Sequence, residues 1–81
     1  MPKESTSQEL MRISGVAGAA GVSKQTVEYY MMLGLLEPLR LAGKGGRYFT
    51  AKHVTRIRLI RMLNQKGYTL RSIRETYLRK R

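Results

Sequence analysis

The chain has 81 residues, no cysteine, and 16 lysines and arginines against 5 acidic residues, a net charge of +11. That length allows one small domain with a thin core, burying roughly 60% of the unfolded surface. The lack of cysteine excludes disulfides and thiolate metal sites and fits a reducing compartment, here expected to be the cytoplasm. No stretch approaches the ~18 apolar residues of a membrane span, and no signal peptide is recognisable.

The charge is unevenly spread. From Pro38 to Arg74 there are ten basic residues and no acidic one. A domain with that imbalance repels itself unless a polyanion is its partner. Nucleic acid is the leading reading. An anionic membrane surface is the main rival, and a merely solubilising surface comes last.

Residues 1–10 open with the polar run MPKESTSQE and read as a disordered tail, with too little apolar surface to offset the entropy of ordering. The domain is expected to span residues 11–81. Ser14 is expected to cap a first helix, in which Val16, Ala17 and Ala20 recur at helical spacing and Gly21 supplies the left-handed stop. Val22 falls in the turn and plugs the core. Ser23 caps a second helix running to about Leu33 and closed by Gly34. Val27, Tyr30 and Met31 form its inward face, and Lys24, Gln25, Glu28, Tyr29 and Met32 its outward one. Two helices joined by a short glycine-containing turn, the second with a polar outer face, read as a helix-turn-helix.

Leu39 and Leu41 alternate with Arg40 and Ala42, as in a short strand. The turn AGKGG follows, with Gly43, Gly45 and Gly46 free to take positive φ, and Arg47-Tyr48-Phe49 is the expected return strand. The result would be a basic β-hairpin wing carrying Arg40, Lys44 and Arg47. It is no phosphate-binding P-loop, lacking the spacing and the following hydroxyl residue. Thr50 caps a third helix, about Ala51 to Lys66, with Val54, Ile57, Ile60 and Leu63 on its core face, widened by Leu59. Thr69 caps a fourth, about Leu70 to Leu78, with Leu70, Ile73 and Tyr77 inward. Arg71 in its first turn suits a helix N-terminus facing a phosphate. The architecture expected is therefore mainly α, a winged helix-turn-helix in the order helix, helix, β-hairpin wing, helix, helix.

The run GVSKQTVEYYMMLGLLEP resembles the opening helix-turn-helix of MerR-family transcription regulators: a Gly-Val turn, a threonine, an aliphatic residue, two tyrosines, and Gly-Leu-Leu before a proline. GGRYFTAKHV resembles the family's wing and the helix cap after it. IRLIRMLNQKGYTLRSI resembles its third helix, glycine-aromatic turn and fourth helix. The likeness runs from about Met11 to Tyr77. It implies sequence-specific binding of double-stranded DNA, with the second helix in the major groove and basic wings on the flanking backbone. By family position, Lys24 to Tyr29 supply the groove face, Arg47 is the wing arginine, and Arg71 belongs to a second wing. The candidate DNA-contacting set is Ser23, Lys24, Gln25, Glu28, Tyr29, Arg40, Lys44, Arg47, Tyr48, Arg56 and Arg71.

The chain departs from the family pattern at several positions. Glu28 stands where arginine is usual, Gly46 where the wing has an aromatic, Phe49 where it has tyrosine, and Lys52 and His53 where acids usually follow the cap. Glu28 has two readings: it accepts a hydrogen bond from a cytosine amino group, or it pairs weakly with Lys24. Family members continue from the fourth helix into a long dimerisation helix, whereas this sequence stops at Arg81. The isolated chain is thus expected to be a monomer, dimeric if part of a longer protein, and associated with the nucleoid.

No enzyme is legible. His53 is a lone histidine, better read as a surface residue or phosphate contact than as a catalyst, and the five carboxylates show no spacing for paired acid–base work. Neither a cofactor nor a metal is expected. Among non-enzymes, an excisionase-like adaptor that bends DNA would share this fold. A single-strand RNA reader wants more exposed aromatics, and a membrane-surface helix wants its cations segregated from its apolar face.

Overall fold

The computed structural model describes residues 9–76. The leading tail up to residue 8, together with Tyr77, Leu78 and the last residues, lies outside them. Four helices make up the regular structure: α1 (Ile13–Ala20), α2 (Lys24–Met32), α3 (Ala51–Gln65) and α4 (Leu70–Thr76).

α1 begins two residues earlier than its serine suggests. The residue at its N-cap is Arg12, whose side chain makes no capping bond, and Ser14 lies inside the helix with its side chain in solvent. The first turn is set instead by the preceding segment, because Met11 is already fixed by backbone pairing with Phe49. The far end follows expectation. Gly21 is left-handed at φ 75°, so its N–H and that of Val22 turn back onto the carbonyls of the last helical turn.

α2 is a locally specified helix. The Ser23 hydroxyl accepts from the Thr26 N–H at 3.0 Å, satisfying an otherwise orphaned donor. Val27 and Tyr30 are buried and Met31 is partly so, whereas Glu28, Tyr29 and Met32 are exposed. Burial raises the Tyr30 phenol above its ordinary pKa. α3 lays Ile57, Ile60 and Leu63 into the core, with Val54 partly covered. Leu59, expected to widen that stripe, faces outward instead, since it falls between the i, i+3 positions that the core already occupies. α4 contributes Ile73, fully buried, and Leu70 at the core's margin.

α1 packs on α2 and α3, and α3 on α4. Their shared core of Val16, Ala17, Ala20, Val27, Tyr30, Leu35, Leu36, Phe49, Ile57, Ile60, Leu63 and Ile73 is one continuous cluster. Leu35 and Leu36 leave α2 pointing into it, so the chain following the second helix is anchored before it turns outward.

The expected two-stranded wing is not formed as such. Among the described residues, pairing is confined to two isolated antiparallel bridges, Leu39 with Tyr48 and Met11 with Phe49. Leu39 and Tyr48 exchange both backbone hydrogen bonds, at 2.8 and 3.1 Å, and Phe49 and Met11 do the same at 2.7 and 2.8 Å. Successive residues of an extended chain turn their backbone groups to opposite sides. Tyr48 therefore binds the outgoing segment, and Phe49 binds the residue before α1. Among the described residues no further bridge follows between Leu39 and the turn. Gly43 and Gly46 take positive φ, Gly46 at 94°, while Gly45 does not. No helix among the described residues is long and apolar enough to cross a membrane.

Candidate nucleic-acid interface

The exposed face of α2 meets the 37–49 segment through one pair of side chains. The guanidinium of Arg47 grips the carboxylate of Glu28 as a fork: Nη1 donates to Oε1 and Nη2 to Oε2, both at 3.0 Å. Glu28 thus pairs with Arg47 and not with Lys24, its neighbour one helical turn back. An arginine fork matches both carboxylate oxygens at once, whereas lysine offers a point charge. Hydrogen bonding to Arg47 holds the Glu28 carboxyl below its ordinary pKa, with the arginine's charge adding to the effect and desolvation opposing it. The same bond pushes Arg47 further above its usual range. Arg47 Nη1 also lies 3.9 Å from the Met31 sulfur.

The pair sits in the wall of a cleft of about 510 Å³ lined by Met31, Leu35, Leu36 and Pro38 on its apolar side and by Glu28, Glu37, Arg40, Arg47 and Arg56 on its charged side. Three arginines expected to meet phosphate, from the segment after α2 and from α3, therefore border one concavity. Arg40 and Arg56 are exposed there, with no side-chain partner among the described residues.

The remaining candidates are distributed around this cleft or away from it. Lys24 and Gln25 are exposed in the first turn of α2, their side chains unpartnered among the described residues, and Tyr29 is 49% exposed farther along that helix. Ser23 is committed to the helix cap and also contacts the Thr26 hydroxyl at 3.0 Å. Lys44 lies exposed at the turn, where its N–H reaches the Leu41 carbonyl. Tyr48 is half-buried, with the Arg12 guanidinium 4.7 Å above its ring. Arg71 is on α4, outside the cleft, and makes a loose 3.5 Å pair with Glu75 on the next turn.

Three structural roles escaped the sequence reading. His53 completes a capping box: Thr50 N–H donates to its Nδ1 at 2.9 Å, while Thr50 Oγ1 accepts from the Lys52 N–H. With Nδ1 accepting, Nε2 carries the proton and donates to the Glu37 carbonyl at 2.8 Å. His53 also meets the Phe49 ring edge-on, at 5.3 Å between centroids. It is a tether between α3 and the start of the 37–49 segment, where it was expected to be a loose surface group. The Thr-x-x-His spacing is the signal, since a side chain with an acceptor three residues after a threonine cap can close the box. Arg58 donates to the Ala19 carbonyl at the end of α1, at 3.0 Å, where a cation complements the helix dipole. Arg12 lies over Tyr48 and closes on Gly46, where an added Cβ would come within 2.7 Å of Nη1. The flexible end of Arg12 can swing aside, so it is the left-handed backbone at Gly46, φ 94°, that favours glycine there.

Residues 11–80 match the family described as MerR HTH family regulatory protein. The chain belongs to the MerR HTH family. The mercuric resistance operon regulatory protein of Bacillus cereus is 36% identical over 62 residues, covering 76% of this chain and 47% of that protein. The nodulation protein NolA of Bradyrhizobium sp. strain NC92 is 32% identical over 91% of this chain and 31% of its own length. The chain thus spans less than half the length of these two relatives. Among solved structures, the transcription regulator PbrR691 of Ralstonia metallidurans CH34, in complex with lead(II), superposes with a TM-score of 0.73 at 32% identity, covering 80% of this chain and 51% of that one. HiNmlR, a MerR family regulator lacking the sensor domain and bound to promoter DNA, gives 0.73 at 27% identity over 83% and 51%. Among the described residues no cluster of three or more His, Cys, Asp or Glu side chains could hold a metal.

Proposed function

We infer that this chain is a DNA-binding domain of a MerR-type transcription regulator, with α2 in the major groove and the 37–49 segment acting as a wing on the phosphate backbone. The observation that carries the reading is the outer face of α2. It is an N-terminally capped helix whose Lys24, Gln25 and Tyr29 are exposed beside a cleft bordered by Arg40, Arg47 and Arg56. Side chains of this kind contact base edges from a groove-bound helix, and arginines without a carboxylate partner beside them, here Arg40 and Arg56, neutralise phosphates. A solved relative bound to promoter DNA supports duplex DNA as the partner.

In this reading the domain runs from residue 11 to the end of the chain, works in the cytoplasm at the nucleoid, and performs no catalysis. α4 directs Leu70 and Ile73 to its own core, so the chain alone binds as a monomer. Log affinity for a mixed-sequence duplex should then fall with log salt at a slope of about −0.9 per phosphate, for roughly 3 to 6 contacts. Fluorescence anisotropy across a salt series measures it. A nearly salt-independent affinity would sink the duplex-binding reading.

A further inference from the structure

The Glu28–Arg47 fork invites a question that its stability cannot answer. Glu28 is 48% exposed and Arg47 36%, and exposed ion pairs contribute little to folding. The pair nonetheless has bidentate geometry and joins two elements 19 residues apart in sequence. Glu28 also has cations without a side-chain partner among the described residues in its own surroundings, Lys24 on the same helix and Arg40 and Arg56 across the cleft. Among the described residues the only other ion pair is Arg71 with Glu75, within one helix. One of the chain's few carboxylates is therefore placed on the face otherwise suited to a polyanion, holding the wing arginine there.

We propose that Glu28 is a specificity-determining residue: it sequesters Arg47 from phosphate and so lowers the protein's affinity for arbitrary DNA. The inference rests on the duplex-binding reading and deepens it. The physical argument is a competition. Non-specific binding comes almost wholly from cations that neutralise phosphates and release counterions. A guanidinium already occupied by a fixed carboxylate gives up that pair to reach a phosphate, and its carboxylate would then face the polyanion unpaired. Arbitrary duplex offers nothing in return for that exchange. Base-edge contacts by Lys24, Gln25 and Tyr29 are untouched by it. The pair thus subtracts from the sequence-independent part of binding and leaves the sequence-dependent part, which widens the ratio between them.

The test uses the full chain, titrated by anisotropy against a mixed-sequence duplex and against the tightest duplex recovered from a randomised pool. Glu28→Gln keeps the side chain's size and removes its charge. It should bind the mixed duplex about threefold to tenfold more tightly at low salt, with a salt slope steeper by about 0.9, one additional phosphate. Affinity for the selected duplex should rise less, so the ratio between the two falls. Adding Arg47→Gln to Glu28→Gln should return the slope to its starting value. Because the pair is exposed, circular dichroism melting should report both variants as folded. An unchanged slope in Glu28→Gln overturns the proposal. So does a gain that survives the loss of Arg47, which would mean simple relief of repulsion. So does weakening confined to the selected duplex, which would make Glu28 a base reader. In each of these cases the wild-type salt slope still stands, and duplex binding with it. If wild type itself shows no salt-dependent binding, both readings fall.

Discussion

α2 and the 37–49 segment border the same cleft, yet they are held in place by different means. α2 is determined by its own residues. Ser23 caps it, Val27 and Tyr30 bury one face, and the chain turns inward at Leu35 and Leu36 when it ends. The 37–49 segment has no ladder to define it. Beyond the Leu39–Tyr48 bridge within it, its position is set by single contacts to other parts of the chain: Phe49 to Met11, the Glu37 carbonyl to His53, Tyr48 to Arg12, and Arg47 to Glu28. A basic loop can thus be aimed without a formed hairpin, provided that each contact comes from an element already rigid. The corollary is that damage to α2 should be felt chiefly as lost stability, while damage to the loop's outer tethers should be felt as lost position.

The strongest challenge to this contrast is Phe49→Ala. Phe49 is fully buried and belongs to both the loop's end and the common core. Emptying such a site costs about 3–5 kcal/mol, a large share of the stability of a domain this small. Thermal unfolding should show a loss of tens of degrees or no folded baseline. A drop of only a few degrees would mean that the loop's end is not part of the core.

His53→Ala comes next. It leaves the Thr50 N–H and the Glu37 carbonyl without their partners, at a cost of about 1–3 kcal/mol where they remain shielded from water. Urea unfolding measures that loss. Amide exchange, read residue by residue, should show faster exchange at Leu39 and Tyr48 and little change within α2. Equal acceleration in α2 would erase the distinction between the two regions. Ser23→Ala sharpens it from the other side. Loss of the cap should lower stability by about 1 kcal/mol and speed exchange at Thr26, with the loop's amides unchanged.

The smallest effect is acid titration of the tie between the regions. Arg47 depresses the Glu28 pKa in the folded state. The pair's stabilisation is therefore fully present above the unfolded carboxylate value, ordinarily 4.5, and is lost as pH falls through the lower folded value. Carboxyl NMR shifts should report Glu28 titrating below its ordinary value of 4.5. Arg47→Gln should restore it to the ordinary range. If Glu28 titrates normally in the wild type, the fork is not held in solution.

The parts legible in the sequence are those with a local cause. Ser23, Thr50 and Thr69 precede their helices and cap them as expected, and Val27, Tyr30, Ile57, Ile60, Leu63 and Ile73 follow from helical periodicity. The departures are non-local. Ser14 lost the first cap because pairing at Met11 decided where α1 begins. The hairpin was inferred from alternation, which does not reveal that Phe49 pairs with Met11 and that Gly46 closes on Arg12. Glu28 offered two partners to a reader of sequence, Lys24 or a base. Its actual partner is reached only once the loop folds back. The expected inward placement of Tyr77 falls outside the described residues.

The bridge between Met11 and Phe49 also bears on the order in which the molecule assembles. It joins residues on opposite sides of α1, α2 and the whole loop, so its closure costs roughly 2 kcal/mol more entropy than a turn of helix. The helices can form from neighbours alone, whereas this contact must wait until the chain between has been brought to order. A contact made after the rate-limiting step leaves the folding rate untouched and slows only escape from the native state. Met11 is therefore a latch: weakening it should quicken unfolding while the domain still folds at its usual pace.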